Sequence, residues 1–316
     1  MTELSSNTSA SLASNVGEKR GYWSRVGRDG RKLGKWFVAP TVALLIFIVI
    51  FPLLMQLYLS FTWWTPLDGV PWYQAYESFN WGENYLILAY DPAFWAALWR
   101  TAMIMLVAVP AQFFLGLGLA YLFIDKFPGR KVFYSIVLTP MMVVPAVVGL
   151  MFFLLFQGTG PVNDSLGLPA SFSWLTDPNR ALISVIIADT WQWTPLMFLI
   201  LLAGMLGVPS DQLLAARLLG GSNWQNFYKI ILPRMKSVIA IAIVLRLVEC
   251  FKIFDLIFIM TSGGPGVATE TISLFLYKKT FADLDWAYVG AVGLAVLIVL
   301  SLIAAFGLSR VAKNKG

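Results

Sequence analysis

Long apolar runs alternate with short polar segments along this chain. Six of the runs are long enough to cross a bilayer, which takes roughly 20 predominantly apolar residues. They are Trp36–Phe61, Ala97–Ile124, Val132–Phe156, Ala181–Leu206, Val238–Met260 and Trp286–Leu308. Several contain proline, which membrane helices tolerate because neighbouring groups satisfy the freed backbone. The pattern predicts an all-α membrane protein with six transmembrane helices.

The composition supports this prediction. Hydrophobic residues make up 58% of the chain and charged residues 13%, more apolar surface than a soluble domain needs to bury. The sequence contains no histidine and a single cysteine, Cys250, inside the fifth run. A disulfide framework is therefore excluded, and a His/Cys metal site is implausible.

Charged residues are distributed unevenly between the polar segments. Lys and Arg concentrate in the N-terminal tail, in the second and fourth loops and at the C-terminus, whereas the first loop, 62–96, has four acids and no base. The positive-inside rule then places both termini and the second and fourth loops in the cytoplasm. We interpret the net charge of +6 as a topology signal, and we expect no nucleic-acid partner.

This topology predicts three parts of the chain. Residues 1–35 are a basic cytoplasmic tail, partly disordered; residues 36–308 are the transmembrane domain; and residues 309–316 are a second basic cytoplasmic tail. The first apolar run is too long for a signal-peptide core, and we expect it to be a retained anchor.

The fourth loop, 207–236, has the sequence features of two short helices. Residues 209–211, Pro-Ser-Asp, predict a helix start, and residues 220–222, Gly-Gly-Ser, predict its end, because glycine accepts the left-handed conformation of a helix C-terminus. A second short helix is expected over residues 223–231, before Pro233. The segment would form a compact protrusion; the simpler alternative is an ordinary amphipathic loop.

The same loop resembles the coupling loop of the membrane subunits of bacterial ABC importers. The family pattern is Glu-Ala-Ala, three residues, Gly, nine residues, Ile, one residue, Leu-Pro. In register with it stand Ala215, Ala216, Gly220, Ile230, Leu232 and Pro233. Leu214 occupies the position of the family's glutamate. The residues that this resemblance implies in contact with an ATPase are Asp211, Leu214, Ala215, Ala216, Gly220, Gly221, Ile230 and Pro233.

The resemblance extends over about residues 36–308 and includes the stretches 188–209 and 251–277, the latter with Phe-Asp, Thr-Ser-Gly-Gly-Pro and Tyr elements. It is strongest to the carbohydrate branch, the maltose, glycerol-phosphate and polyol type of permease. It implies the type I importer fold, an inner-membrane location, and a sugar moved from periplasm to cytoplasm by alternating access. The implied partners are a second homologous permease, two ATPase subunits, a periplasmic substrate-binding protein and the lipid membrane.

Nucleotide chemistry is not expected in this chain. The sequence has no G-x-x-x-x-G-K-[ST] phosphate loop, and the run Gly263-Gly264-Pro265-Gly266 lacks the lysine. The chain is thus predicted to be a transport subunit without catalytic or metal-binding residues, with ATP and Mg²⁺ held by the partner ATPase. Leu214 cannot make the charge-assisted hydrogen bond of a glutamate. Either apolar packing and Asp211 compensate, or a partner permease supplies the stricter motif, and we expect a heterodimer with a second, more typical permease.

Ionisable residues inside the apolar runs are candidates for substrate contact, because they are costly in a membrane and usually face a cavity or a partner. Helical spacing puts Arg246, Glu249, Cys250 and Ile253 on one face of the fifth run, and Asp189, Gln192 and Trp193 on one face of the fourth run. These seven residues are the predicted substrate contacts. Carboxylates accept sugar hydroxyls, Arg donates a planar fork, and an indole stacks on a sugar ring.

Several alternatives stay open at the sequence level. Arg246 could instead form a structural ion pair with Glu249 or Asp189, and Lys252 and Asp255 are expected to pair with each other or to lie near the outer interface. Arg246 and Lys252 together leave an anionic sugar possible. The alternative function is an ion-gradient-driven secondary transporter, with Asp189 and Glu249 as proton carriers. No inverted repeat is visible to support it.

Overall fold

The structure is a computed structural model that describes residues 36–313. The predicted N-terminal tail, 1–35, and residues 314–316 lie outside the described part. Contacts divide the chain into two compact units, one ending at Tyr58 and one that begins at Leu59. Helix α1, Trp36–Ser60, supplies the described residues of the first unit. Its 25 residues span about 37 Å at 1.5 Å per residue, enough for a hydrocarbon core of about 30 Å.

The second unit is built from helices, and its described residues contain only one isolated β-bridge, Thr62 to Phe79. Two 3₁₀ turns, Pro66–Asp68 and Trp72–Ser78, follow α1. The helices are then α2 Glu83–Tyr90, α3 Pro92–Leu122, α4 Arg130–Met142, α5 Pro145–Leu155, α6 Pro161–Leu166, α7 Pro178–Leu206, α8 Ser210–Leu218, α9 Asn223–Asn226, α10 Leu232–Arg234, α11 Lys236–Phe251, α12 Asp255–Met260, α13 Ile272–Phe281 and α14 Trp286–Lys313. Residues Phe227–Ile231 form a π-helical turn between α9 and α10.

Helices α3 and α7 pack together along the centre of the second unit. Gly116 of α3 allows the close approach, because a Cβ there would lie 2.8 Å from Cβ of Met197 and 2.9 Å from the backbone N of Phe198. Small residues at helix interfaces are the usual way for membrane helices to gain van der Waals contact. Helices α11 and α13 each pack on α3 and on α14, and they complete one apolar core.

The predicted third span is bent rather than straight. Helices α4 and α5 meet at 96°, with Val143 and Val144 both extended between them. The residue before a proline is driven out of the helical region by the pyrrolidine ring, and Val144 precedes Pro145. The run 132–156 therefore forms two helices and not one.

The predicted fifth span is also wrong as a single helix. Helix α11 ends at Phe251, and α12 begins at Asp255 after a three-residue break. The carbonyl of Ile253, freed by the break, accepts a hydrogen bond from Thr271 Oγ1 at 3.1 Å. Asp255 takes the first position of α12, where an acid interacts favourably with the helix dipole.

The all-α membrane fold is confirmed, but the count of six continuous spans is not. Among residues 36–313, four helices are long and apolar enough to cross a membrane, namely α1, α3, α7 and α14, and the bent pair α4–α5 is a fifth if it is one span. Helix α14 continues beyond its apolar part, Trp286–Phe306, through residues 309–313 of the predicted C-terminal tail.

Candidate functional site

Three polar side chains from three helices meet inside the bundle. Arg246 of α11 donates from Nη2 to Asp189 Oδ2 of α7 at 2.5 Å and from Nε to Gln112 Oε1 of α3 at 2.7 Å. Gln112 Nε2 in turn donates to Asp189 Oδ2 at 2.8 Å and to the Asp189 carbonyl at 3.1 Å. Each of the three is at most 1% exposed. We call these residues the Arg246 network.

Two more side chains surround the network. The guanidinium carbon of Arg246 lies 5.2 Å from the centre of the Trp193 ring, within cation–π range. The thiol of Cys250 lies 3.9 Å from Asp189 Oδ2. Of the two structural pairings left open by the sequence for Arg246, the structure therefore shows the one with Asp189.

A cavity of about 230 Å³ lies beside the network, where the two broken spans meet. We call it the central cavity. Its lining residues are Pro145, Asp189, Gln192, Trp193, Glu249, Lys252, Ile253, Phe254, Asp255 and Leu256. Pro145 opens α5 and Asp255 opens α12, and these two short helices pack so closely that a Cβ at Gly149 would lie 2.8 Å from the Leu256 carbonyl oxygen. The two helix breaks thus help to form the cavity.

The predicted substrate residues divide into two groups. Asp189, Gln192, Trp193, Glu249 and Ile253 line the central cavity, whereas Arg246 and Cys250 do not. The helical face drawn through Ile253 is also wrong, because α11 ends before it at Phe251. Ile253 reaches the cavity from the break and not from the helix surface.

The expected pairing of Lys252 with Asp255 is wrong as well. Lys252 Nζ lies 2.9 Å from Glu249 Oε1, one helical turn earlier, and both side chains are about half exposed. Asp255 has no ion pair within residues 36–313. Both Lys252 and Asp255 line the central cavity, so they belong to this site more than to the outer interface.

Gln192 has an incomplete set of hydrogen bonds. Its Nε2 donates to the Val143 carbonyl, which the break between α4 and α5 leaves free, at 3.0 Å. Its Oε1 is buried and has no partner among the described residues, although the side chain is only 1% exposed and lines the central cavity. A buried acceptor without a partner is costly, and it marks a position for a ligand or a water.

The loop 207–236, which we call the coupling loop, contains the two short helices that the sequence predicts, but the second, α9, ends at Asn226 and continues as the π-helical turn Phe227–Ile231. Helix α8 ends in a turn in which Gly220 has φ +81°, a left-handed conformation that favours glycine. Gly221 must also be small, because a Cβ there would lie 2.8 Å from the carbonyl oxygen of Ala216. Ser222 and Gln225 then form a reciprocal capping box that begins α9.

One side of this loop is anchored and the other is exposed. Phe227 and Ile231 are buried in a second apolar cluster with Phe123 and Phe198. Five large side chains are exposed, and we call them the apolar coupling face: Leu214 at 56%, Leu218 at 89%, Leu219 at 90%, Trp224 at 65% and Tyr228 at 62%. A cluster of exposed apolar side chains of this kind marks an interaction surface.

The predicted coupling residues differ in accessibility. Asp211, Leu214, Ala215, Gly220 and Pro233 are exposed, and Ala216, Gly221 and Ile230 are half-buried. Sequence reasoning missed four of the five residues of the apolar coupling face, all except Leu214. It also missed Gln112. The signal for Gln112 in the sequence was an amide within an apolar run.

The described residues were compared with the requirements of a metal site. Within residues 36–313, no group of three or more His, Cys, Asp or Glu side chains is placed to hold a metal ion. The polar groups of the bundle can donate and accept hydrogen bonds to a small ligand.

A helical membrane bundle with a polar internal cavity and a two-helix loop defines a membrane transport subunit. Residues 112–313 match the family described as binding-protein-dependent transport system inner membrane component. The chain belongs to this family. The predicted transport role, without enzymatic activity of its own, and the predicted inner-membrane location are thereby confirmed, and nothing supports the ion-gradient-driven alternative.

Curated relatives cover most of the chain. The chain is 30% identical to the sulfoquinovosyl glycerol transport system permease protein SmoG of Agrobacterium fabrum, over 93% of this chain and 94% of that protein. It is 32% identical to the trehalose/maltose transport system permease protein MalF of Thermococcus litoralis, over 78% of this chain and 83% of that one. The predicted resemblance to sugar permeases is confirmed.

The fold is similar to a chain of a bacterial ABC transporter involved in the import of the acidic polysaccharide alginate. The TM-score is 0.76 at 19% identity, and the match covers 92% of this chain and 98% of that chain. A second structure of the alginate transporter, in complex with an alginate pentasaccharide-bound periplasmic protein, matches with a TM-score of 0.74 at 20% identity, over 90% and 95% of the two chains. These matches confirm the importer permease fold.

Proposed function

We propose that this chain is a permease subunit of an ABC importer that carries a sugar or sugar derivative from the periplasm to the cytoplasm. Energy would come from a separate ATPase, and the spans would alternate between inward and outward openings. The observation that carries the proposal is the apolar coupling face, because it gives a partner protein a surface on which to act. Relatives named for trehalose, maltose and sulfoquinovosyl glycerol support the sugar class.

The ATPase docks on the coupling loop in this proposal. Leu218 and Leu219 are about nine-tenths exposed on a loop rich in Lys and Arg, a loop that the positive-inside rule assigns to the cytoplasm. Docking residues are the predicted set, Asp211, Leu214, Ala215, Ala216, Gly220, Gly221, Ile230 and Pro233, together with the apolar coupling face. Burial of exposed leucines contributes roughly 25 cal/mol per Å². The missing glutamate at Leu214 is therefore compensated by apolar contact.

The substrate would contact the central cavity. Gln192, Trp193, Glu249 and Ile253 line it, and they are joined by Asp189 on the wall next to the Arg246 network. Arg246 and Cys250 support that wall from behind. A volume of about 230 Å³ is smaller than the ~300–1,000 Å³ typical of small-molecule sites, so this chain holds one part of a ligand.

The remaining assembly follows from the same proposal. A second homologous permease completes the pore, two ATPase subunits hold ATP and Mg²⁺, and a periplasmic binding protein delivers the substrate. Both termini, the tails 1–35 and 309–316 and the coupling loop lie in the cytoplasm, and residues 36–308 form the membrane domain. The uneven distribution of Lys and Arg supports this orientation.

The coupling assignment is tested with the complex purified in detergent after co-expression of its subunits. We expect Leu219→Asp to lower co-elution of the ATPase, because a carboxylate replaces a side chain that the docked ATPase would bury. Leu67→Asp is the matched control: Leu67 is 74% exposed but lies in the first loop, on the opposite side of the predicted membrane. Equal ATPase recovery from both variants would contradict the assignment.

Two further variants separate docking from transmission of force. Gly220→Pro and Ala216→Trp alter the turn and the surface of α8, and we expect them to uncouple ATP hydrolysis from transport without loss of membrane insertion. Normal substrate-stimulated ATPase activity in both variants would refute the coupling role of this loop.

A further inference from the structure

We infer that the central cavity selects an uncharged, hydroxyl-rich part of the ligand and disfavours an anionic one, with Gln192 Oε1 as the acceptor that recognises it. This inference rests on the proposed function, and it decides the charge that the sequence left open. Three observations within residues 36–313 carry it: the pairing of both cations near the cavity, the acceptor Oε1 of Gln192 without a hydrogen-bond partner, and the carboxylate of Asp255 without an ion pair.

Within the described residues, both cations near the cavity are already paired with carboxylates. The guanidinium of Arg246 is held by Asp189 and Gln112, is 1% exposed and does not line the cavity. Lys252 does line the cavity, but its Nζ lies 2.9 Å from Glu249 Oε1. An anion that recruited either cation would have to displace a carboxylate and leave it in the same small space.

The groups that remain are acceptors. Gln192 Nε2 donates a hydrogen bond to the Val143 carbonyl. The other end of this amide, Oε1, has no hydrogen-bond partner within the described residues. Asp255 adds a carboxylate without an ion pair in the same part of the chain. Hydroxyl groups of a neutral sugar can donate to both, whereas a carboxylate, sulfonate or phosphate group offers only acceptors.

The charge balance points the same way. Asp189 is balanced by Arg246, and Glu249 is balanced by Lys252, so Asp255 gives the site one net negative charge. A like charge brought into a cavity of this size is disfavoured. Because the volume suits only one part of a ligand, the selectivity applies to the moiety that this chain holds.

The test compares two matched probes on the purified permease–ATPase complex: methyl glucoside, which is neutral, and methyl glucuronide, which carries a carboxylate on the same ring. Thermal shift at increasing probe concentration gives an apparent Kd without the binding protein. We expect the wild type to bind methyl glucoside at least about tenfold more tightly than methyl glucuronide, the factor that one hydrogen bond and one like charge provide.

Two variants assign the effect to residues. Gln192→Met should weaken the glucoside by about tenfold because the acceptor is lost. Asp255→Asn, on an exposed position, removes the net negative charge and should strengthen glucuronide binding, which narrows the preference for the glucoside. Asp283→Asn, in the turn after α13 and outside the cavity, is the control and should change neither value.

Three results would overturn the inference. The first is tighter binding of the glucuronide by the wild type, with loss in Lys252→Gln. The second is unchanged glucoside binding in a folded Gln192→Met variant. The third is binding of neither probe, which would remove this cavity as the ligand site. Failure of the proposed function has a different signature, namely no ATPase stimulation by any sugar presented on the cognate binding protein.

Discussion

The replacement Asp189→Asn tests whether the Arg246 network holds the bundle together. The substituted amide keeps the shape of the side chain but removes the charge that faces Arg246 Nη2 at 2.5 Å. Because Arg246 is 1% exposed, water cannot compensate its charge, and Gln112 offers only a neutral carbonyl. Removal of one partner of a buried ion pair costs about 3–5 kcal/mol, so we expect a loss of that size in unfolding free energy.

The measurement is thermal or denaturant unfolding of the detergent-purified complex. Asp283→Asn is the control, because its partner Lys279 lies 2.8 Å away and the carboxylate is 51% exposed, where an ion pair contributes about 0–1 kcal/mol. The double variant Asp189→Leu with Arg246→Met removes both charges at similar volume and should recover most of the lost stability. If Asp189→Asn unfolded like the wild type, the stabilising role of the Arg246 network between α3, α7 and α11 would be refuted. The ion pair would then be better explained as a direct ligand contact.

Three other predictions concern packing and loop structure in the second unit. Gly116→Ala should lower the free energy of unfolding by about 1–3 kcal/mol, because its Cβ would lie 2.8 Å from Cβ of Met197 in α7. Gly118→Ala, on the same helix, would meet nothing within 4 Å among the described residues and should be neutral or stabilising. Equal unfolding midpoints for the two variants would contradict the close approach of α3 and α7. Asn163→Ala should lower the free energy of unfolding by about 1–3 kcal/mol, because the fully buried amide donates hydrogen bonds to three backbone carbonyls between α5 and α7. Protease cleavage of this segment should rise, and unchanged cleavage would contradict the prediction. Tyr288→Phe should lower the free energy of unfolding by about 1.5–3 kcal/mol, because the hydrogen bond to Asp91 is lost. Thermal unfolding of this variant, of Asp91→Asn and of the double variant measures the effect, and additive losses would show that the two residues do not interact.

Hydrophobic runs predicted the long helices of this chain well. The runs 97–124 and 181–206 correspond to α3 and α7, which are continuous over 31 and 29 residues. Hydropathy averages over a window, however, and carries no information on the direction of the chain. The 96° bend before Pro145 and the break at 252–254 were therefore invisible to it, although the proline itself marked the first.

The candidate site was predicted in part for a related reason. Helical spacing brought Glu249, Cys250 and Ile253 onto one face, but the end of α11 at Phe251 moved Ile253 off the helix. Pairing between distant helices could not be read from spacing at all. Arg246 and Asp189 are 57 positions apart, and the choice between a ligand contact and an internal pair required their relative placement.

The local structure of the coupling loop was predicted well, because its turn depends on neighbouring residues. The left-handed φ of Gly220 and the capping box at Ser222 are encoded in neighbouring residues. Its exposed surface is not encoded in that way. In the sequence, Leu218 and Leu219 look like any other apolar residues. The structure shows that Phe227 is buried and that these two leucines lie on the exposed side of the loop.

The central claim is that ATP hydrolysed by a partner drives this chain to import a sugar delivered by a binding protein. Uptake of a radiolabelled sugar into proteoliposomes that contain the purified complex, with the loaded binding protein on one side and ATP on the other, tests it most directly. The account predicts uptake that needs both ATP and the binding protein and that continues after a proton ionophore is added. Uptake that proceeds without ATP and stops when the proton gradient collapses would contradict it.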